Sequence, residues 1–351
     1  MTVDMLIRMI KLANGSLETI NAERIYSLGW LVQSTLAMAF IVQWQRQGAI
    51  QYIDEHLLIP VSTHCPMYRK LNRTRVIFAI IAFVSSAFTA TNIIYNVYRI
   101  AHSYSINPDL SKLPYSVEKI IRSILMIHGP YVWNISLCLF VVVVKSVTIE
   151  LQQFNKDFKV MLKNSECMAV NDQRDHLCES LLHSFAKHNG LAEKIIHIDR
   201  TFRFLVYTFA MTTVGGATTI FAMLSLIRTE VFNVYLLFSI HDTACCYYHL
   251  FGLCVVPAQV YTEFRALQGQ LYRQSAIWTN YDLKVYQIAG MLTENVAQSN
   301  IGITLWGFTL ITKSLILTCL SLLIPYVMLC LQLQIGSREN DPYRSVNGTI
   351  T

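Results

Sequence analysis

Residues 303–334 read ITLWGFTLITKSLILTCLSLLIPYVMLCLQLQ, and this stretch decides the fold of the chain. Lys313 is the only charged residue among these 32. A helix of that length is about 48 Å long at a rise of 1.5 Å per residue, whereas the hydrocarbon core of a bilayer is about 30 Å thick. The stretch is therefore predicted to cross a membrane as one helix that extends beyond the bilayer.

The composition of the whole chain is also that of a membrane protein. Of its 351 residues, 53% are hydrophobic and only 14% are charged, whereas soluble proteins carry about 25% charged residues. The mean hydropathy is +0.39. The net charge of +6 does not indicate a nucleic-acid partner, because Lys and Arg collect in the cytoplasmic loops of membrane proteins.

Five further apolar segments precede the last one, which predicts an all-α, multi-pass fold with six transmembrane helices. They are residues 26–44, 76–98, 123–144, 204–227 and 231–256. Pro257 is expected to stop the fifth segment, since proline disrupts a helix interior, so residues 26–257 hold the first five spans. Two polar blocks, residues 145–203 and 258–302, are predicted to continue the spans as helices into the cytoplasm.

The distribution of Lys and Arg predicts which side each loop faces. Six spans place both termini on one side, whose loops hold 10 basic residues against 17 on the other. The more basic side is predicted to be cytoplasmic and comprises residues 45–75, 145–203 and 258–302. The N-terminal segment 1–25 and the C-terminal tail 335–351 are then extracellular at the plasma membrane. Asn14 and Asn347 lie in Asn-x-Ser/Thr sequons of these outer segments, so they are the expected glycosylation sites.

Four residues of the last stretch occur at the spacing of a family motif. Gly307 and Phe308 open the stretch, and Tyr326 is followed by five residues and Gln332. This pattern resembles the last span of the insect gustatory-receptor superfamily, which starts near Gly-Phe-Phe and ends Thr-Tyr, five residues, Gln-Phe. Leu333 stands where the family has its final Phe.

The resemblance extends over most of the chain. Residues 188–191 and 199–202 resemble the family's cytoplasmic block before its fifth span, and residues 53–57 resemble a loop between its second and third spans. Aligned in this way, the first apolar segment corresponds to the family's second span, and the family's first span has no clear counterpart. The family is widespread in insects and has nematode relatives.

What the resemblance implies is a chemosensory receptor that acts as a ligand-gated cation channel of four subunits, identical or related. In the family, the last spans surround one pore, and helical extensions form a cytoplasmic anchor, here within residues 258–334. Tyr326 and Gln332 would then lie at the interface between pore helices, and Leu333 at an apolar gate near the outer mouth. A ring of leucines could close a narrow pore by dewetting; the alternative is that Leu333 only packs or faces lipid.

A second group of candidates would line a ligand pocket in the outer half of the bundle. Under the predicted topology, these aromatic, amide and ionisable side chains share one depth, which suits a small polar or aromatic ligand. They are Asn92, Tyr95, His128, Tyr131, Trp133, Asn134, His241 and Asp242. Asp242 is costly to bury within a span and is therefore a functional candidate. The alternatives are that His241 and Asp242 pair with other helices and that the aromatic residues form an interfacial belt.

No residue pattern supports an enzyme, a cofactor or a metal site. The chain contains no Gly-x-Ser-x-Gly, His-Glu-x-x-His or Walker pattern. Cys167, His176, Cys178 and His183 lack the spacing of a zinc site. All nine cysteines lie in predicted spans or on the predicted cytoplasmic side, so free thiols are expected.

A G-protein-coupled chemoreceptor is the alternative function. Asp199-Arg200 resembles the acidic-Arg pair of that class, but it precedes a span instead of ending the third. Pro325-Tyr326 does not match the Asn-Pro-x-x-Tyr pattern, and an extracellular C-terminus would also be wrong for that class. A transporter is a third alternative.

Overall fold

The computed structural model describes helical residues 35–46 and 72–77, scattered positions between residues 32 and 98, and then residues 113–166, 170–226, 234–279, 282–298, 300–321 and 325. From residue 113 onward these form helices α1 (Leu113–Glu166), α2 (Val170–Leu226), α3 (Val234–Arg273), α4 (Ser275–Thr279) and α5 (Leu283–Gln298). Strands β1 (Thr304–Leu305) and β2 (Thr309–Leu310) then form an antiparallel hairpin, and residues 313–321 are again helical. The predicted all-α class is confirmed.

The first two long helices join apolar and polar sequence without a break. α1 has 54 residues and α2 has 57, so each is more than 80 Å long at about 1.5 Å per residue. α1 passes from the apolar segment 123–144 into the polar block 145–203, and α2 leaves that block for the apolar segment 204–227. The prediction that the block 145–203 extends the spans as helices is confirmed over residues 145–166 and 170–203, and its cytoplasmic placement stays a prediction. Within those residues, Val132–Asn164 of α1 is the stretch long and apolar enough to cross a bilayer.

The expectation that Pro257 ends a helix is wrong. α3 has 40 residues and continues through Pro257 to Arg273. Proline removes one backbone hydrogen bond and crowds the preceding turn. The residues beside it are buried, with Val256 8% and Ala258 2% exposed. Gln259 accepts a hydrogen bond from Lys145 at 2.7 Å. Packing against α1 therefore holds the helix together through the proline.

Side-chain contacts fix the relative directions of the three long helices. Between α1 and α3 the partners ascend together along both helices, so these two are parallel. The ascending pairs are Trp133–His249 and Lys145–Gln259. Between α1 and α2 the partners run in opposite order, so these two are antiparallel. The opposed pairs are Phe140–Phe202 and Glu150–Lys194. This alternation agrees with the predicted order of spans.

One hydrophobic core runs along these helices. Its largest fully buried side chains include Trp133, Phe140, Phe202 and Phe264. The early helical segment 35–46 also packs into this core, because Trp44 meets Phe202 edge-on at 4.7 Å and donates its indole N–H to a backbone carbonyl of α2 at 3.0 Å. At the far end, α5 packs on α2 and α3.

The packing of α5 follows from its sequence pattern. Its buried residues recur every three to four positions and so form one face of the helix. They are Val285, Ala289, Leu292, Thr293 and Val296. Burying one aliphatic side chain of this size stabilises the fold by about 1.5–3 kcal/mol. The burial of this face is therefore what holds α5 against the long helices.

The first ten residues of the stretch 303–334 are not helical, which corrects the prediction of one helix from residue 303. Thr304 pairs with Leu310, and the turn between the strands places Trp306 and Gly307 at positive φ, 57° and 80°. Helical structure starts only at residue 313, where Thr312 accepts a hydrogen bond from the amide of Leu315 at 3.2 Å and so caps the helix. Of the residues after position 312, the structure describes 313–321 and 325, which are helical.

Candidate functional site

The predicted pocket residues are described to different extents. Trp133 and Asn134 are described with their side chains. His128 and Tyr131 on α1 and His241 and Asp242 on α3 are described by their backbone only, and Asn92 and Tyr95 lie outside the described residues. The predicted pore and glycosylation residues also lie outside them: Tyr326, Gln332, Leu333, Asn14 and Asn347.

Trp133 and Asn134 are brought together with a residue that the sequence did not point to, His249 on α3. The indole Nε1 of Trp133 donates to Nδ1 of His249 at 3.2 Å, and Nε2 of His249 lies 3.0 Å from Oδ1 of Asn134. An indole N–H can only donate, so Nδ1 must accept. The imidazole is therefore neutral and donates from Nε2 to the Asn134 amide oxygen.

These three residues, which we call the Trp133 cluster, join α1 to α3. Trp133 is 0%, Asn134 2% and His249 2% exposed. The ring of Phe209 on α2 packs against Trp133 as well. A ligand would have to break these contacts to reach Trp133 or Asn134.

A sequence signal for His249 does exist in the spacing along α3. Asp242 and His249 are seven residues apart, which is about 700° of helical rotation and places both on one face. Asp242 therefore lies on the face of α3 that carries His249, about 10 Å closer to the N-terminus of the helix.

A second polar site joins α2 to the hairpin before the last helix. Oδ1 of Asp199 accepts hydrogen bonds from the backbone N–H of Thr304 at 2.6 Å and from its hydroxyl at 2.8 Å. Oδ2 of Asp199 accepts from Arg203 at 3.2 Å. We call the contacts of Asp199 with Thr304 and Arg203 the Asp199 clasp. The resemblance drew attention to Asp199 but gave it no partner.

Aromatic packing supports the same hairpin from the side. The ring of Trp306 meets Tyr207 at 4.1 Å and Phe204 at 5.4 Å, both edge-on and both on α2. The guanidinium of Arg203 covers Gly307, where an added Cβ would lie 3.3 Å from its Cζ. One face of α2 therefore carries the whole turn.

The helical extensions carry a further set of polar contacts. Glu263 of α3 accepts hydrogen bonds from Gln152 at 3.0 Å and from Asn155 at 3.2 Å, both on α1. Arg265 donates to the carbonyl of Ala297 near the end of α5 at 2.9 Å. These bonds fix the helices of the extension relative to one another.

His188 is buried in this extension. It is 1% exposed, and its ring lies 4.2 Å from that of Phe264. Burial lowers the pKa of His188 below its usual range, and a hydrogen bond to the Phe264 carbonyl only partly opposes this effect. The imidazole is therefore neutral at neutral pH.

Other chemistry is limited among the residues that the structure describes. In that part of the chain no group of three His, Cys, Asp or Glu side chains could hold a metal ion. Cys138, Cys178, Cys254 and Cys319, the cysteines whose side chains the structure describes, form no disulfide. An open groove lies on α2 and is lined by Gly190, Glu193, Lys194, Ile196, His197 and Arg200. All six belong to one helix, so the groove lacks the walls that bury a small ligand.

These elements, long helices that continue from apolar into polar sequence and a hairpin before a further helix, build a fold that is shared with a solved insect receptor. The chain is similar to the solved structure of the insect olfactory receptor OR5 from Machilis hrabei in complex with eugenol. The TM-score is 0.66 at 13% sequence identity, over 95% of this chain and 86% of that chain. A second structure of that receptor gives a TM-score of 0.63 at 13% identity, over 94% of this chain and 85% of that chain.

These similarities concern the fold. No protein-family model matches the sequence, and no curated protein matches it either. The fold is therefore shared with an insect olfactory receptor, as the predicted resemblance implies, whereas the family and the gustatory type stay predictions. Both similar structures are of an olfactory receptor.

Proposed function

We propose that this protein is a chemosensory receptor of the gustatory type, a subunit of a tetrameric, ligand-gated cation channel in the plasma membrane. The observation that carries the proposal is the fold shared with an insect olfactory receptor over 95% of the chain. The long apolar segments support the membrane location, and the helical extension built from α1, α2, α3 and α5 supports a cytoplasmic anchor. The tetramer would be formed with identical or related subunits.

The proposed ligand is a small molecule bound in the outer half of the helix bundle. One of the two structures of the similar olfactory receptor contains eugenol, a small aromatic molecule. The pocket would lie between α1 and α3, outward of the Trp133 cluster, and Asp242 would face it. Asp242→Asn should then change the ligand response at unchanged surface expression. An equal loss of folded protein and of response would instead assign Asp242 to helix packing.

The proposed pore is lined by the last helix. Tyr326 and Gln332 would contact the neighbouring subunits, and four copies of Leu333 would form the gate. A small polar side chain lets water remain in such a constriction, so Leu333→Ser should raise the basal current. Leu331→Ser is the matched control, since two residues rotate the side chain by about 200° away. Equal basal currents for wild type and Leu333→Ser would remove Leu333 from the gate.

The test of the function as a whole is expression of the full chain with a C-terminal tag. We expect antibody to reach the tag without permeabilisation, Asn14 and Asn347 to carry glycans, and a panel of small molecules to evoke cation current. Current that persists in excised patches without nucleotide would exclude coupling through a G protein. A tag reached only after permeabilisation would contradict the proposed topology.

A further inference from the structure

Asp199 connects two parts of the molecule that are far apart in sequence. It lies on α2, in the polar block that precedes the fourth apolar segment, and it binds Thr304, 105 residues later. The side chain of Asp199 is 8% exposed, whereas that of its other partner, Arg203, is 35% exposed. The carboxylate therefore points into the protein, towards the hairpin.

The chemistry of these bonds makes the contact strong and directional. A charged acceptor forms shorter hydrogen bonds than a neutral one, and roughly twice as strong. A largely buried carboxylate without such partners would be costly. The hydroxyl of Thr304 donates to Asp199 and at the same time accepts from the backbone N–H of Gly307 at 2.9 Å. Asp199 thus sets the position of the first strand, and Thr304 passes this constraint to the turn.

Only two residues, Ile311 and Thr312, connect the hairpin to the last helix. Ile311 follows β2 directly, is 4% exposed, and donates its N–H to the carbonyl of Ile303 at 2.9 Å. The next residue, Thr312, already caps the helix. Just before the other strand, Gly302 packs tightly against Leu310, since a Cβ at this position would lie 2.9 Å from the Leu310 side chain. The start of the last helix must therefore follow the hairpin.

We propose that Asp199 is a positioning residue for the last helix: it holds the hairpin 304–310 on α2 and thereby transmits movement of α2 to the inner end of that helix. The effect of Asp199 on gating rests on the proposed channel function, whereas its effect on the hairpin rests on the hydrogen bonds alone. If both hold, Asp199 links the anchor to the proposed pore.

The experiment compares hydrogen–deuterium exchange of residues 303–312 with ligand-evoked current per surface receptor, in the full chain. Asp199→Ala removes the whole clasp and should speed exchange of these amides by about tenfold or more. It should also reduce the evoked current several-fold. Thr304→Val keeps the backbone bond and should give a smaller change in both readouts. Thr304→Ser keeps the hydroxyl and should behave as wild type.

Glu150→Ala is the matched control. Glu150 on α1 binds Lys194 of α2 at 3.0 Å, so its removal breaks an ion pair of α2 that has no part in the hairpin. It should leave exchange of residues 303–312 and the current unchanged. An equal loss of current in Glu150→Ala and Asp199→Ala would overturn the proposal, since it would indicate a general loss of packing.

The remaining outcomes separate this proposal from the function on which it rests. Unchanged exchange of the hairpin in Asp199→Ala overturns the positioning role. Faster exchange with normal current at matched surface expression overturns the transmission to the last helix. If Asp199→Ala does not reach the surface, Thr304→Val decides in the same way. A wild type without any current would count against the channel function, while the exchange data would still decide whether Asp199 holds the hairpin.

Discussion

The Trp133 cluster and the Asp199 clasp both use hydrogen bonds to join segments that are distant in the sequence, but the cluster uses neutral groups and the clasp uses charged ones. The Trp133 cluster uses three neutral side chains, each at most 2% exposed. The Asp199 clasp uses a carboxylate whose cationic partner is 35% exposed. Burying a charge deep in an apolar bundle costs free energy unless the charge is fully paired. Near the boundary of the bundle this cost is smaller, because the partner of the charge, here Arg203, stays partly in contact with solvent.

The difference assigns different tasks to the two sites. Neutral groups that satisfy one another inside a low-dielectric core rigidify it and specify one packing. A charge-assisted contact beside solvent fixes the position of a short hairpin on α2. We therefore expect changes in the Trp133 cluster to act mainly on stability, and changes around the clasp to act mainly on the position of the hairpin.

The largest expected effect comes from Trp133→Ala. The change leaves a large cavity among three helices and deprives His249 of its donor, so it should cost about 3–5 kcal/mol of unfolding free energy. Thermal unfolding in detergent measures this. Ile135→Ala, on the same helix and 42% exposed, is the control and should cost far less. Similar losses for the two variants would contradict the central role of Trp133.

The next effect tests the hydrogen bonds of the cluster apart from its volume. His249→Leu keeps most of the size but removes the acceptor of the Trp133 N–H and the hydrogen bond to Oδ1 of Asn134, which should cost about 1–3 kcal/mol. Unfolding of this variant is compared with that of Tyr247→Leu, two residues earlier on α3 and 42% exposed. A variant as stable as wild type would show that the cluster acts through packing alone.

The sequence predicts the long helices well, but it does not predict which side chains meet at the two polar sites. The apolar segments and the polar blocks predicted α1, α2 and much of α3, because segment length and hydrophobicity are local properties. Trp133 and Asn134 were named as candidates for their polarity inside a span. Their partner His249 is more than 110 residues away, and no local pattern marks that pairing.

The hairpin shows where local pattern fails. Residues 303–312 are apolar and continuous with a long apolar run, so length favoured a helix. The turn needs Trp306 at φ 57°, a conformation that sequence does not indicate for tryptophan. The hydrogen bonds that hold it come from Asp199 on α2, and the guanidinium of Arg203 packs beside Gly307. The prediction for Pro257 is wrong for a related reason. Proline locally disfavours a helix, but packing with α1 outweighs this preference, and α3 continues through Pro257.

A moderate effect is expected at the turn itself. Gly307 has φ 80°, and an added Cβ would press on Arg203 at 3.3 Å, so Gly307→Ala should destabilise the hairpin by roughly 1–2 kcal/mol. Faster exchange of residues 303–312 would show it. The control is Gly190→Ala on α2, where no neighbouring atom lies within 4 Å and alanine should slightly stabilise the helix. Equal exchange in both variants would argue against a strained turn.

The smallest expected effect is a pH dependence of stability that comes from His188. Like His249 in the Trp133 cluster, His188 is buried and neutral, although it lies in the polar helical extension. Burial lowers the pKa of His188 in the folded state, whereas the unfolded chain should titrate near pH 6.5. Below about pH 6.5 the unfolded state therefore binds the additional proton and gains stability, so the fold loses stability as the pH falls. Between pH 7.5 and 6.0 this should amount to at most about 0.8 kcal/mol. Thermal unfolding at the two pH values measures it, and His188→Asn serves as the reference, because comparing each variant with itself cancels the cost of the substitution. An equal pH shift in wild type and His188→Asn would mean that other groups carry the dependence.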